Sequence, residues 1–295
     1  MKLSGSEIVI ESLKKEGVDY IFGYPGGAVL HIYDALFAAK DIKHVLVRHE
    51  QGATHAADGY ARACNKPGVV LVTSGPGITN CVTGIATAHM DSIPMIVISG
   101  QVSRQYVGSD AFQEADATGI TRPICKHNYL INDRESIADT FRKAFIIATT
   151  GRPGPVIIDI PKDLTDPNVK IDFDYKKNIK IRSYKIKTNE DENKIEEAAK
   201  ILCSAKKPMI YSGGGVILSK ASKELIKLTK LLNYPITNTL MGLGAYPSSD
   251  NQFLGMLGMH GTYEANMAMH DCDFMFCIGA RFDDRIAGKT DEFSP

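Results

Sequence analysis

The sequence has no excess charge of either sign: 34 Lys plus Arg stand against 34 Asp plus Glu, for a formal net charge of zero. A chain so balanced offers no broad basic surface for nucleic acid or anionic lipid, which leaves small molecules and other protein chains as the expected partners. It is poor in cysteine, with 6 in 295 residues. These stand apart at Cys64, Cys81, Cys125, Cys203, Cys272 and Cys277, without a CxxC pair. They read as reduced packing residues in a reducing compartment rather than as a disulfide framework. No segment approaches the ~20 apolar residues of a membrane span. The N-terminal MKLSGSEIVIESLKKEG interrupts its apolar stretches with Glu and Lys, unlike a signal peptide or an Arg-rich transit sequence, so a cytoplasmic protein is expected. Fixed short repeats and low-complexity tracts are also absent.

What is present is an alternation. At 295 residues the chain exceeds one ordinary domain, and two domains with separate cores are expected. Short β-branched runs at Tyr20 to Gly23, Val45 to Val47, Val69 to Thr73, Met95 to Ser99 and Val156 to Ile160 predict strands. Amphipathic segments at Ser4 to Lys15, Ala28 to Ala39, Gln51 to Ala63, Thr79 to Asp91 and Ser136 to Thr149 predict the helices between them. That order describes a doubly wound α/β domain over residues 1–165 with a largely parallel sheet, and ligands belong at the carboxyl ends of its strands. Residues 166–190 are polar and Lys-rich and read as a linker. A second, Rossmann-like α/β pattern fills 191–295, with strands at Pro208 to Ser212, Pro235 to Asn238 and Asp273 to Ile278. Its helices are expected near Asp191 to Ser204, Ser219 to Leu231 and Tyr263 to His270. It stops soon after a strand that would sit mid-sheet, as in a truncated product or one half of a split enzyme.

The chemistry-bearing residues cluster where strands should end. Tyr24-Pro25-Gly26-Gly27 follows the first strand; its glycines let backbone approach a ligand, and a plain strand-to-helix turn is the alternative. Arg48-His49-Glu50-Gln51-Gly52 follows the second, putting Glu50 at a helix start, where a carboxylate is favoured with or without a ligand. Ser74-Gly75-Pro76-Gly77 follows the third. Three small-residue turns on one sheet edge build a crevice lined by backbone. After Ser99-Gly100-Gln101 comes a long polar stretch, Val102 to Gly119, containing Phe112-Gln113-Glu114, which reads either as a lid or as a surface loop. In the second pattern Ser212-Gly213-Gly214-Gly215 lacks a full GxGxxG. Gly279-Ala280-Arg281-Phe282-Asp283-Asp284-Arg285 offers two arginines to phosphate or carboxylate, with an internal salt-bridge cluster as the alternative.

Taken in order, GYPGGAVLHIYDAL, VRHEQGATHAADGYAR, TSGPGITN, SGQVSRQYVGSDAFQE, GRPGPVIIDIPKD, LMGLGAYP and LGMHGTYEANMAMHDCDFMFCIGARFDDR span the chain. Together they resemble the large catalytic subunit of acetolactate synthase, a thiamine-diphosphate-dependent transferase. The resemblance implies that residues 1–165 bind the cofactor's pyrimidine and that 191–295 are a central FAD-binding domain. It also implies decarboxylation of pyruvate and condensation with a second 2-oxo acid, pyruvate or 2-oxobutyrate, in branched-chain amino acid biosynthesis.

By the same resemblance Glu50 is the acid that favours the cofactor's imino tautomer, and Tyr24, Pro25, Gly26, Ser74, Gly75, Pro76, Asn80 and Gln113 line the thiamine diphosphate site. Gly27, Ala28, Phe112, Gln113, Lys162 and Arg285 correspond to the substrate channel, a buried aromatic and a cation suiting a small 2-oxo acid. FAD contacts fall on Arg152, Gly213, Gly214, Gly215, Leu240 and Met241. They continue through Leu257, Gly258, Met259, His260, Gly261, Thr262, Gly279, Ala280 and Arg281, with Asp283 and Arg285 close by. The third domain that holds magnesium and the diphosphate has no counterpart, and Asp58-Gly59, inside a helix, is no substitute. The chain alone is therefore expected to have little activity. A homodimer or higher homo-oligomer is implied, with a small regulatory subunit as a further partner. Other pyruvate-using thiamine diphosphate enzymes and a noncatalytic FAD-binding or assembly module remain as alternatives, while Glu50 argues against glyoxylate carboligase, which lacks that acid.

Overall fold

Ser4 starts the first helix by a reciprocal cap, its hydroxyl accepting from the Glu7 amide while the Glu7 carboxylate accepts from the Ser4 amide. From there the computed structural model, which describes residues 1–186 and 190–293, divides into two units, Met1–Lys187 and Thr188–Pro295. The first unit runs β1 (Lys2–Ser4), α1 (Gly5–Lys15), β2 (Tyr20–Tyr24), α2 (Leu30–Ala38), β3 (Lys43–Leu46), α3 (Glu50–Cys64) and β4 (Gly68–Val72). It continues with α4 (Pro76–Thr79), α5 (Val82–Met90), β5 (Met95–Gln101), α6 (Ala117–Thr121), β6 (His127–Leu130), α7 (Ile137–Thr149), β7 (Pro155–Pro161) and β8 (Lys170–Asp172).

Six strands form one parallel sheet in the order β3-β2-β4-β5-β7-β6. The central runs GVVLV, MIVISGQ and PVIIDIP are buried along their whole length, as strands covered on both faces must be. On one face Val69, Leu71, Ile96, Ile98, Val156 and Ile158 pack with Ile8, Leu13, Ile137, Phe141 and Phe145 from α1 and α7. α3 lies against β2, β4 and α5. This is the doubly wound α/β arrangement expected from the sequence.

Several details differ from the sequence reading. The helix expected over Thr79 to Asp91 is two pieces, α4 and α5, because Pro76 at the first helical position starts a turn early. β6 has the sequence HNYL, without a β-branched run to betray it. The expected linker is in large part packed: β8 pairs antiparallel with β1, and Phe173, Tyr175, Ile181 and Tyr184 lie on the first core. Its aromatics are anchored by polar bonds, Tyr175 to Glu16, which also takes Arg142 Nη1 at 2.8 Å, and Tyr184 to the Thr150 carbonyl at 2.8 Å. Residues 187–189 of that stretch, and 294–295, lie outside the described residues.

The second unit has α8 (Glu192–Ser204), β9 (Pro208–Ser212), α9 (Gly214–Leu218), α10 (Ser222–Leu232), β10 (Ile236–Asn238), β11 (Phe253–Met256), α11 (Tyr263–Asp271), β12 (Phe274–Ile278) and α12 (Asp284–Ala287). Its parallel sheet has the order β11-β10-β9-β12. Ile210, Val216, Leu225, Ile236 and Tyr246 form one core cluster, and Met209, Tyr211, Leu257 and Met269 another. The reading of all cysteines as packing residues is corrected: all six are free, but only Cys81 and Cys125 are buried, while Cys64, Cys203 and Cys277 are exposed. Among the described residues no helix is long and apolar enough to cross a membrane.

Candidate functional site

In the first sheet the chain steps from β2 out to β3 and then returns to the other side of β2 as β4. The turns after β2 and β4 thus flank the point where strand order reverses, the position at which open α/β sheets bind ligands. They are in contact. The Ala28 amide donates to Thr73 Oγ1 at 3.2 Å, and a methyl group added at Gly26 would fall 2.5 Å from Thr73 Cβ. Gly26 is therefore fixed by close approach to protein, whereas a methyl at Gly27 would meet nothing within 4 Å. At Gly100, past the middle of β5, an added methyl would lie 2.9 Å from Ala28 Cβ.

Glu50 is the first residue of α3 and is 8% exposed. His49 caps that helix, its Nδ1 accepting from the Gln51 amide at 3.2 Å. The Asn80 amide, between α4 and α5, donates to Glu50 Oε2 at 2.9 Å. It is the one side-chain hydrogen bond to that carboxylate among the described residues, so Oε1 accepts from no protein donor there. Burial, and after it the Glu50 charge, raise the titration of the Tyr33 phenol and the Cys81 thiol above their ordinary ranges. Both stay neutral near Glu50. A buried carboxylate with a free acceptor atom, at the N-terminus of α3 and bonded through Asn80 to the segment that follows β4, is equipped to hold a ring nitrogen of a bound ligand.

The stretch from Val102 to Glu114 completes this rim. Gly75, at φ +55°, lies so near the Gln113 backbone that an added methyl would stand 2.6 Å from the Gln113 carbonyl oxygen, and Gln113 itself has φ +58°. Glu114 ties the loop, accepting from the Gly108 and Ala111 amides, and those bonds hold its carboxyl below the usual carboxylate range. The aromatic expected to be buried is not: the loop projects Phe112, leaving the residue 89% exposed. Tyr24 and Pro76 are exposed, Ser74 and Ala28 buried, and Lys162, directly after β7, half-buried.

Two polar residues on this edge were not singled out as site residues by sequence reasoning, Gln101 and Asp159. Their signal is a lone polar side chain at the end of, or within, an otherwise apolar buried strand run. Asp58, expected to be no substitute for a diphosphate anchor, is buried in α3 and pairs with Arg62.

In the second unit the turns after β9, β10, β11 and β12 leave the same sheet edge, with reversal between β9 and β12. Gly213 and Gly215 abut Gly279, which has φ +60°, so their lack of a side chain is already required by packing. Gly214 packs on Met241, Gly258 on the Arg285 carbonyl and Gly261 on the Met256 carbonyl. Leu257 is buried, Leu240 and Met259 are 69% and 67% exposed, His260 is exposed, and Thr262 caps α11. Arg281 pairs with Asp283 at 3.6 Å and Arg285 with Asp284 at 3.7 Å, while Arg285 Nη1 also approaches Met259 sulfur at 3.4 Å. Ala280 lies against Gly213. Arg152, in the first unit, spends its guanidinium on Ser92 Oγ at 2.7 Å and the Met90 carbonyl at 3.2 Å. Among the described residues no group of three or more His, Cys, Asp or Glu is arranged to hold a metal ion.

Residues 3–120 match the family model for the thiamine pyrophosphate enzyme N-terminal TPP binding domain, and residues 195–295 the model for the central domain of the same enzymes. The chain is 56% identical over 294 residues to the acetolactate synthase large subunit of Haemophilus influenzae, covering 100% of this chain and 51% of that protein. It is 52% identical to the large subunit of acetolactate synthase isozyme 3 of Escherichia coli, over 99% of this chain and 51% of that one. With a probable acetolactate synthase large subunit of Methanocaldococcus jannaschii it shares 50% identity, over 99% and 50% respectively. The chain thus spans about half the length of the curated relatives it matches.

Proposed function

Because the chain belongs to the thiamine pyrophosphate enzyme family, whose N-terminal and central domains it carries, we propose that it forms the cofactor-activating half of an acetolactate synthase large subunit. The observation that carries this reading is the buried Glu50 carboxylate, oriented by Asn80 and with Oε1 left to a ligand. When bound, thiamine diphosphate supplies the C2 carbon at which pyruvate is decarboxylated and joined to a second 2-oxo acid. Glu50 presents an oxygen to a pyrimidine ring nitrogen, and its burial strengthens that bond by excluding competing water. Tyr24, Pro25, Gly26, Ser74, Gly75, Pro76, Asn80 and Gln113 border the pyrimidine. Gly27 and Ala28 leave space for the 2-oxo acid, Lys162 offers its carboxylate a cation, and Phe112 closes over its apolar side once covered in the complete enzyme, where Arg285 joins the substrate channel.

FAD is assigned to the second unit. The open Leu240 and Met259 side chains and the close-packed backbone turns at Gly213 to Gly215, Gly258 and Gly279 suit a flat aromatic ring system and its phosphates. Magnesium and the cofactor diphosphate are assigned to the half of the protein that this chain does not span, so turnover requires that half. We further infer a cytoplasmic homo-oligomer with a small regulatory subunit, serving branched-chain amino acid biosynthesis.

Product analysis tests the assignment. The complete enzyme supplied with pyruvate, thiamine diphosphate, magnesium and FAD should form acetolactate. Acetaldehyde or acetyl phosphate as the main product would place it elsewhere in the family.

A further inference from the structure

β5 ends on a polar residue and β7 carries one in its middle, yet both side chains are inside the protein: Gln101 is 4% exposed and Asp159 1%. The amide of Gln101 is fully engaged. Its Oε1 accepts from the Val102 amide at 2.8 Å, and its Nε2 donates to the Ala115 carbonyl at 2.9 Å and to Asp159 Oδ2 at 3.0 Å. One side chain therefore holds both the exit and the return of the 102–115 segment. Asp159, fixed in the sheet opposite Ser99, holds that side chain in turn.

The segment so closed carries Phe112 and Gln113. Its tip rests on Gly75, and Gln113 is held at φ +58°, a backbone state unfavourable for a non-glycine residue. Such a conformation persists only where its surroundings impose it. Glu114 ties the tip internally, and Gln101 supplies the tie to the sheet. Asp159 Oδ1 has no hydrogen-bond partner among the described residues. Burial also pushes its carboxyl up to about 7, with the nearby Asp116 carboxylate adding to the shift. Gln101 Nε2 needs only an oxygen acceptor at this position, which Asp159 offers whether or not its carboxyl is ionised, so the contribution is geometric.

We propose that Gln101, oriented by Asp159, is a positioning residue that sets where Gln113 and Phe112 stand over the Gly75 turn, and thereby how tightly the 2-oxo acid is bound. This rests on the assignment of Gln113 and Gly75 to the thiamine diphosphate and substrate site. Both residues are buried and act through the segment they hold.

Hydrogen exchange on this chain and kinetics on the complete enzyme test it together. Gln101→Leu should speed amide exchange across 102–116 by about tenfold or more while leaving α1 and α7 at the wild-type rate. In the complete enzyme it should raise KM for pyruvate by about tenfold with kcat changed less than about threefold. Asp159→Asn, which keeps an oxygen acceptor for Gln101, should behave as wild type in both measurements, and Asp159→Leu should resemble Gln101→Leu. Unchanged loop exchange in Gln101→Leu overturns the proposal. So does faster exchange with an unchanged KM, which would leave the pair a merely structural one. Failure of the functional reading has a separate signature: the complete enzyme would not make acetolactate, whatever the loop does.

Discussion

Asn80 Nδ2 lies 2.9 Å from Glu50 Oε2 and donates to it, joining the start of α3 to the link between α4 and α5 across the mouth of the first sheet. This bond makes the Glu50 carboxylate a fixed element rather than a mobile side chain. Its partner comes from a segment that exists in this position only because Pro76 starts a helical turn directly after Gly75.

Removing the amide should therefore cost stability. Asn80→Ala leaves a largely buried carboxylate without its donor, and hydrogen bonds to charged groups contribute roughly 1.5–3 kcal/mol. Urea denaturation of the chain should show a loss of about that size with an unchanged slope, provided unfolding of the first unit is resolved. A loss below about 0.5 kcal/mol would mean that water replaces Asn80 without penalty.

The two glycines of the first turn should separate sharply. Gly26→Ala places a methyl 2.5 Å from Thr73 Cβ and disturbs the hydroxyl that holds the Ala28 amide; overpacking of this kind costs typically 1–3 kcal/mol. Gly27→Ala meets nothing within 4 Å and should leave stability within about 0.5 kcal/mol of wild type. Thermal melts of the two variants side by side give the comparison; equal effects would contradict the packing described for Gly26.

Asp159 predicts a pH dependence. Burial raises its folded-state carboxyl from 3.8 to about 7, so between those values the folded protein binds more protons than the unfolded chain. Its contribution to stability is complete below the unfolded value and is lost as pH rises through about 7. At about 1.4 kcal/mol per pKa unit the loss is at most a few kcal/mol. Relative to Asp159→Asn, wild-type stability should thus fall from about pH 5 to about pH 8. Parallel curves for the two proteins would show that the carboxyl does not titrate in that range.

Five of the six strands of the first sheet, three of the four of the second and most of the longer helices were legible because those strands are apolar runs and those helices amphipathic, and the two periods do not resemble one another; β11, whose FLGM has no β-branched residue, and the short α9 and α12 were not anticipated. What escaped has identifiable causes. β6 is a short edge strand without such a run, and β8 belongs to a stretch whose lysines mask Phe173, Tyr175 and Tyr184, the residues that pin it. Glu50 could be placed at a strand end and helix start from sequence, but not its bond to Asn80, which depends on how α4 breaks from α5. Gln101 and Asp159 were hidden by company: a single polar residue in a buried run does not disturb a pattern, although it is there that an unpaired polar group would cost most. Phe112 shows the converse. An aromatic expected to be buried is exposed because the turn tied by Glu114 directs it outward.

The central claim is that Glu50 activates the bound thiamine. In the complete enzyme, exchange of the cofactor C2 proton for deuterium should slow at least about a hundredfold in Glu50→Gln, the scale lost when a positioned proton-handling group is removed. Because Gln is nearly isosteric and Asn80 can still find an acceptor, FAD binding and the folded fraction should stay near wild type. A Glu50→Gln enzyme whose C2 proton exchanges at the wild-type rate would contradict the account.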